Sequence, residues 1–137
     1  MIIVDTGPLV ALFDPADGDH ERCAGLLAGI DEPLCTTVPV LTEAFHLLTP
    51  ASIGSQRLMD FVTGHGLTLW FLDDRTLVRA FELMIRYADH PMDLADASLV
   101  VLAESLKLHK IFTLDRNDFA TYRLREGHRY YAFEMLS

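Results

Sequence analysis

Five acidic residues stand at positions from which they could act together as ligands or as acids and bases. Asp5 closes the apolar run Ile2, Ile3, Val4, just before Thr6, Gly7 and Pro8, which read as a turn and the start of a helix. Asp115 follows the run IFTL in the same manner. Glu43 lies among Val40, Leu41, Ala44, Phe45, Leu47 and Leu48, so its helix is expected to face the core nearly all round. No cap or turn role suits a mid-helix glutamate there, and unpaired buried glutamates are rare. Asp93 and Asp96, in DLADA, are three apart and share one face at a helix start, where the helix dipole favours negative charge.

Brought together, such groups need compensation. Two like charges ~4 Å apart repel by about 4 kcal/mol at an effective dielectric near 20. No lysine or arginine is placed regularly among these motifs. A hard divalent cation, Mg²⁺ or Mn²⁺, takes oxygen ligands and retains several waters. Held by carboxylates with open positions, it suits phosphodiester hydrolysis, because it polarises a phosphoryl oxygen and activates water. Each aspartate also has an ordinary use: Asp93 as a helix N-cap with Asp96 at the third position, Asp115 in an Asx-turn, and Asp5 as a cap.

The elements that must position these acids alternate between short apolar runs and helical periods. Strands are expected at Ile2–Asp5, Leu34–Thr36, Leu67–Leu72 and Lys110–Leu114, with an edge strand at Arg129–Phe133. Helices are expected at Pro8–Phe13, His20–Ile30, Val38–Leu48 (capped by Thr37), Gln56–Thr63, Arg75–Tyr87 and Asp93–Leu106. TPASIGS reads as a loop, and Leu77, Phe81, Met84 and Ile85 are expected to face inward. Strands alternating with helices imply an α/β fold, a parallel sheet covered on both faces. In such sheets ligands bind beyond the carboxyl ends of the strands, which is where Asp5 and Asp115 fall.

At 137 residues, half of them hydrophobic, the chain is read as one domain, residues 1–137. No apolar run approaches the ~20 residues of a spanning helix, and no basic leader precedes one, so a soluble cytoplasmic protein with no membrane role is expected. Cys23 and Cys35 fit no ligand pattern and are read as buried thiols. A net charge of −9 argues against binding nucleic acid by bulk electrostatics. The charge is uneven, however. Residues 1–106 hold sixteen acids against five Lys or Arg, whereas residues 107–137 hold six against four acids, so a polyanion would meet a mildly basic C-terminal region.

Four motifs, IIVDTGPLVALFD, LTEAFHLL, YADHPMDLADASLVVLAE and IFTLDRNDF, occur in an order that resembles the PIN-domain ribonucleases of the VapC-like toxin kind. The resemblance implies a three-layer α/β/α sandwich with a short parallel sheet, dependence on Mg²⁺ or Mn²⁺, cleavage of RNA, a homodimer and a small antitoxin partner. By position, Asp5, Glu43, Asp96 and Asp115 match the acidic quartet of that family, and the motif leaves open whether Asp93 or Asp96 takes the third role. Thr6 and Thr113 flank the acids and would hold water or phosphate, with Asp118 as a supporting acid. The low charge of LTEAFHLLTP, where relatives often carry a basic residue, leaves the RNA contacts to be sought elsewhere. Arg116, beside Asp115, is one candidate, and Arg75 and Arg79, on one face of their helix with Arg86, are others. Tyr122, Tyr130 and Tyr131 are read as packing of the C-terminal edge. Two other readings stand beside this one. A haloacid-dehalogenase-like phosphatase would want a second acid two residues after Asp5, where this chain has Gly7. A catalytically inactive PIN-fold binding module would keep the fold alone.

Overall fold

The computed structural model describes residues 1–137. The apolar runs become short strands because both faces of the sheet are covered. β1 (Ile2–Val4) and β2 (Leu34–Thr36) are buried at every position. With β3 (Thr68–Leu69), β4 (Lys110–Phe112) and β7 (Glu134–Leu136) they form a five-stranded, all-parallel sheet of order β3-β2-β1-β4-β7. Ile3 is in register with Cys35 on one side and Ile111 on the other. Strand order reverses between β1 and β4, which makes the crevice above them the expected ligand position.

The helices are α1 (Thr6–Phe13), α2 (His20–Ala28), α3 (Val38–Leu47), α4 (Ile53–Thr63), α5 (Asp74–Arg86), α6 (Leu94–Leu106) and α7 (Arg116–Thr121). They flank the sheet in a three-layer α/β/α sandwich. α6 is the central one, with every residue from Ala97 to Ala103 buried. α3 and α6 are tied by a buried bond between the hydroxyls of Thr37 and Ser98, 2.6 Å apart, which fixes Glu43 relative to the start of α6. Cys23 and Cys35 are buried free thiols. No helix is long and apolar enough to cross a membrane.

Several expectations are corrected. α4 begins at Ile53, inside the segment read as a loop, because the Ser52 hydroxyl caps it by accepting the Ser55 amide at 3.0 Å. Residues 116–121 form a helix where only an Asx-turn was read. The C-terminal edge strand is β7; Arg129–Phe133 contributes instead to an antiparallel hairpin of β5 (Arg123–Glu126) and β6 (Arg129–Ala132). In α5 the buried residues are Ala80 and Leu83, while Phe81 and Ile85 are 45% and 77% exposed. Ala80 and Leu83, rather than Phe81 and Ile85, take the positions of close packing. α3 does not face the core all round either, since Thr42, His46 and Leu47 are exposed.

Two glycines of equal sequence anonymity differ physically. A Cβ on Gly54 would lie 2.4 Å from the Phe13 carbonyl oxygen, because the start of α4 crosses the end of α1 there. A Cβ on Gly25, within α2, would meet nothing within 4 Å. In urea denaturation, Gly54→Ala should therefore cost about 1–3 kcal/mol through forced backbone shifts. Gly25→Ala should gain about 0.4–1 kcal/mol by lowering the entropy of the unfolded chain.

Candidate active site

Each acid reaches the crevice by a local rule. The Asp5 amide donates to the Phe112 carbonyl at 3.0 Å, so the residue after β1 is still held beside β4. Its carboxylate accepts the Thr6 amide at 2.8 Å through Oδ1 and the Thr113 hydroxyl at 2.9 Å through Oδ2. The Thr6 hydroxyl donates to Glu43 Oε1 at 2.7 Å, linking α1 to α3. Asp93 caps α6 by accepting the Asp96 amide at 2.8 Å. Asp115 caps α7, with the Asp118 amide 3.3 Å from its Oδ1, and its own amide donates to the Thr113 hydroxyl at 2.9 Å. The ordinary capping roles and the shared pocket are thus the same geometry: Asp5, Asp93 and Asp115 sit at helix starts, where the partial positive charge of free amides offsets part of their own.

The result is a cavity of about 460 Å³ lined by Asp5, Glu43, Asp93, Asp96, Asp115 and Asp118, with Thr6 and Gly7, and by no lysine or arginine. All five acids singled out from the sequence line it, and Thr113 supports it from behind. Residues 2–124 match the PIN domain family. The chain belongs to the PIN-domain family. It is 28% identical to the ribonuclease VapC26 of Mycobacterium tuberculosis over 131 residues, 94% of this chain and 97% of that protein. Its fold superposes on VapC20 of the same organism, a toxin described as cleaving the sarcin-ricin loop, with a TM-score of 0.78 at 18% identity, over 85% of this chain and 92% of the other. A toxin–antitoxin complex from Klebsiella pneumoniae matches with a TM-score of 0.65 at 17% identity, over 88% and 92%.

Two contacts of this PIN-domain pocket escaped the sequence reading. Tyr122, fully buried, donates its hydroxyl to Asp96 Oδ2 at 3.0 Å. His90 contacts Asp118 through Nε2. Tyr122 had a usable signal: Asp115, Asp118, Phe119 and Tyr122 fall at i, i+3, i+4 and i+7, one face of a helix, had residues 116–121 been read as one. His90 had none. Of the arginines, Arg116 is exposed at the first position of α7 and bonds to Ser137. Arg75 and Arg79 line a different cleft that shares no residue with the acidic one. Arg79 is not a free cation, because its Nε and Nη2 each donate to Glu104 at 2.9 Å.

Burial dominates the electrostatics. Desolvation pushes Asp5 up from 3.8 to about 6, against the lowering effect of its two donors and with added repulsion from Asp115 and Glu43. Asp96 rises to about 8, first by desolvation, then by the charges of Asp93 and Asp5, with Tyr122 opposing. Glu43 and Asp115 are raised by desolvation and by their carboxyl neighbours, Asp93 and Asp118. No three acidic side chains close into a cage around one point. Mg²⁺ does not demand one, since it is typically held by one or two carboxylates, with waters and substrate phosphate completing its shell. A raised set of acids with no lysine or arginine among them fits such a cation.

The signs give a pH dependence. Between pH 3.8 and about 6 for Asp5, and up to about 8 for Asp96, the folded chain keeps protons that the unfolded chain releases, so raising the pH lowers stability through that window. In EDTA the melting temperature should fall steadily from pH 5 to pH 9, as calorimetric scans would record. Tyr122→Phe keeps the ring and removes a donor to the charged form of Asp96. It should move the Asp96 midpoint above its starting value of about 8 in a carboxyl ¹³C NMR titration.

Proposed function

We propose that this chain is a Mg²⁺- or Mn²⁺-dependent endoribonuclease and the toxin of a VapBC-like toxin–antitoxin pair. The observation that carries the reading is the convergence of Asp5, Glu43, Asp93, Asp96 and Asp115 on one pocket without a basic residue, at the switch point of a PIN-domain sheet. The named ribonuclease and toxin relatives supply the substrate class. The Klebsiella complex supports a small antitoxin as partner. An exposed apolar strip of Val78, Phe81 and Ile85 along α5 supports a homodimer. The absence of any spanning helix is consistent with a cytoplasmic location.

Within this reading, Asp5, Glu43, Asp96 and Asp115 would hold the cation and the attacking water, with Asp93 beside them. When bound, the cation polarises the phosphoryl oxygen and lowers the pKa of a coordinated water. The protein's own contribution is orientation. Asp5 is fixed through both oxygens by Thr6 and Thr113, and Asp96 is fixed by Tyr122. Glu43, raised in pKa and lying against Asp93, is placed to accept the proton of an attacking water once both groups are ionised. Thr6 and Thr113 keep the carboxylates in place, and Asp118 lines the pocket beside Asp115. Gly7 leaves no second acid two residues after Asp5, so the phosphatase alternative lacks its partner acid.

The test is incubation with total cellular RNA and Mg²⁺ or Mn²⁺, with an EDTA arm and Asp5→Asn. Cleavage should require the cation and drop by about two orders of magnitude or more in Asp5→Asn. Its melting temperature at pH 8 should not fall, since a desolvated charge has been removed. Cleavage unchanged in that variant refutes the site. Mn²⁺ uptake without hydrolysis would instead mark a binding module, and turnover of small phosphate esters alone a phosphatase.

A further inference from the structure

The acidic pocket has no cation of its own to meet a polyanion, yet the chain gathers its positive charge on one other face. Six of its eleven Lys and Arg residues, Arg75, Arg79, Arg86, Arg123, Arg125 and Arg129, lie on α5 or the β5–β6 hairpin. Between α5, α6 and the hairpin lies a cleft of about 750 Å³, lined by Arg75, Arg79 and Arg125 over Val101 and Ser105. Its acids are engaged in holding it together. Glu104 takes both Arg79 nitrogens at 2.9 Å and also accepts the Arg125 backbone amide at 2.8 Å, so one carboxylate pins α5 and the hairpin to α6. Glu82 contacts Arg79 at 3.5 Å.

Arg75, Arg125, Arg86 and Arg129 are exposed, and none is within 4.0 Å of a carboxylate. Arg75, Arg79 and Arg86 follow one side of α5 for about 16 Å at 1.5 Å per residue. At the far end, Arg86 lies over the half-exposed ring of Tyr130, 5.1 Å from its centroid, and donates to its hydroxyl at 3.3 Å. The next residue, Tyr87, packs edge-on against Tyr122 at 5.1 Å, and Tyr122 bonds to Asp96 in the acidic pocket. The basic line therefore runs from a cleft at the far end of α6 to the back of the acidic site. Helical geometry turns Phe81 and Ile85 to a different flank of α5, while the exposed Val78 borders the cleft itself.

We propose that this face is a binding track for single-stranded RNA, with Arg75 and Arg125 contacting backbone phosphates and the Arg86–Tyr130 pair offering a surface on which a base stacks. Arg79 and Glu104 serve as its scaffold. Unpaired guanidiniums fit phosphate geometry, and an exposed aromatic ring beside them is the combination that sequence-tolerant single-strand binding uses. The proposal rests on the ribonuclease reading and names where its substrate lies.

The experiment measures binding of a fluorescein-labelled 12-nucleotide RNA by anisotropy, on the full chain carrying Asp5→Asn, at several salt concentrations. Arg75→Ala with Arg125→Ala should weaken binding at least tenfold and reduce the slope of log K against log salt by about 1.4, at ~0.7 per phosphate contact. Arg79→Ala is avoided because it removes the side-chain partner of the partly buried Glu104. Tyr130→Ala should weaken binding by a smaller factor with the salt slope unchanged. The same arginine changes in the chain with Asp5 intact should slow RNA cleavage while leaving Mn²⁺ affinity by calorimetry unaltered. RNA binding unaffected by loss of both arginines, in a protein that cleaves RNA, overturns the track alone. Altered sedimentation with RNA binding intact assigns the face to a protein contact and likewise overturns it. A chain that neither binds nor cleaves RNA overturns the track and the ribonuclease reading together.

Discussion

Crowding of several carboxylates around the buried Asp5 in one pocket is the constraint on which the rest of this structure turns. Asp5 is 7% exposed, and its hydrogen-bond donors do not fully offset what burial costs its charge. A protein rarely retains such a cost for stability alone, because an apolar residue at the same place would not pay it. The pocket is tolerable because the sheet and helices deliver donors with the acids. Free amides at the starts of α1, α6 and α7, the hydroxyls of Thr6, Thr113 and Tyr122, and His90 near the rim each take part of the charge.

That arrangement also explains the sheet's economy. Strands of two or three residues suffice, since their task is to place the residues that follow them. The bond from the Asp5 amide to the Phe112 carbonyl and the Thr113 hydroxyl beneath it make the β1–β4 seam a rigid mount for the first acid. The Thr37–Ser98 pair does the same for α3 and α6, so Glu43 and Asp93 meet by packing rather than by sequence proximity.

Segregation of charge is the second consequence. The acidic pocket is lined by no lysine or arginine. Six of the eleven Lys and Arg residues stand instead on α5 and the hairpin, where Glu104 holds Arg79 and the Arg125 backbone amide. The α5 residues show why the sequence alone misjudged this face. Apolar size favoured Phe81 and Ile85 as core, but helix packing buried Ala80 and Leu83 and left Phe81 and Ile85 in solvent.

The parallel sheet, the main helices and the five acids were legible from the sequence, because strand-end acids and a glutamate among apolar neighbours violate local preference strongly enough to be seen in one chain. α7, the hairpin and the true edge strand β7 were less visible, since short elements carry little periodicity and their form depends on what they pack against. Residue order settled which side chains would be negative and which would end a strand or cap a helix. Only the folded chain decided that Tyr122 faces Asp96, that Arg79 is bound by Glu104 while Arg75 and Arg125 are free, and that five separated charges share one space. Those outcomes depend on distances between segments far apart in sequence, which no local pattern encodes.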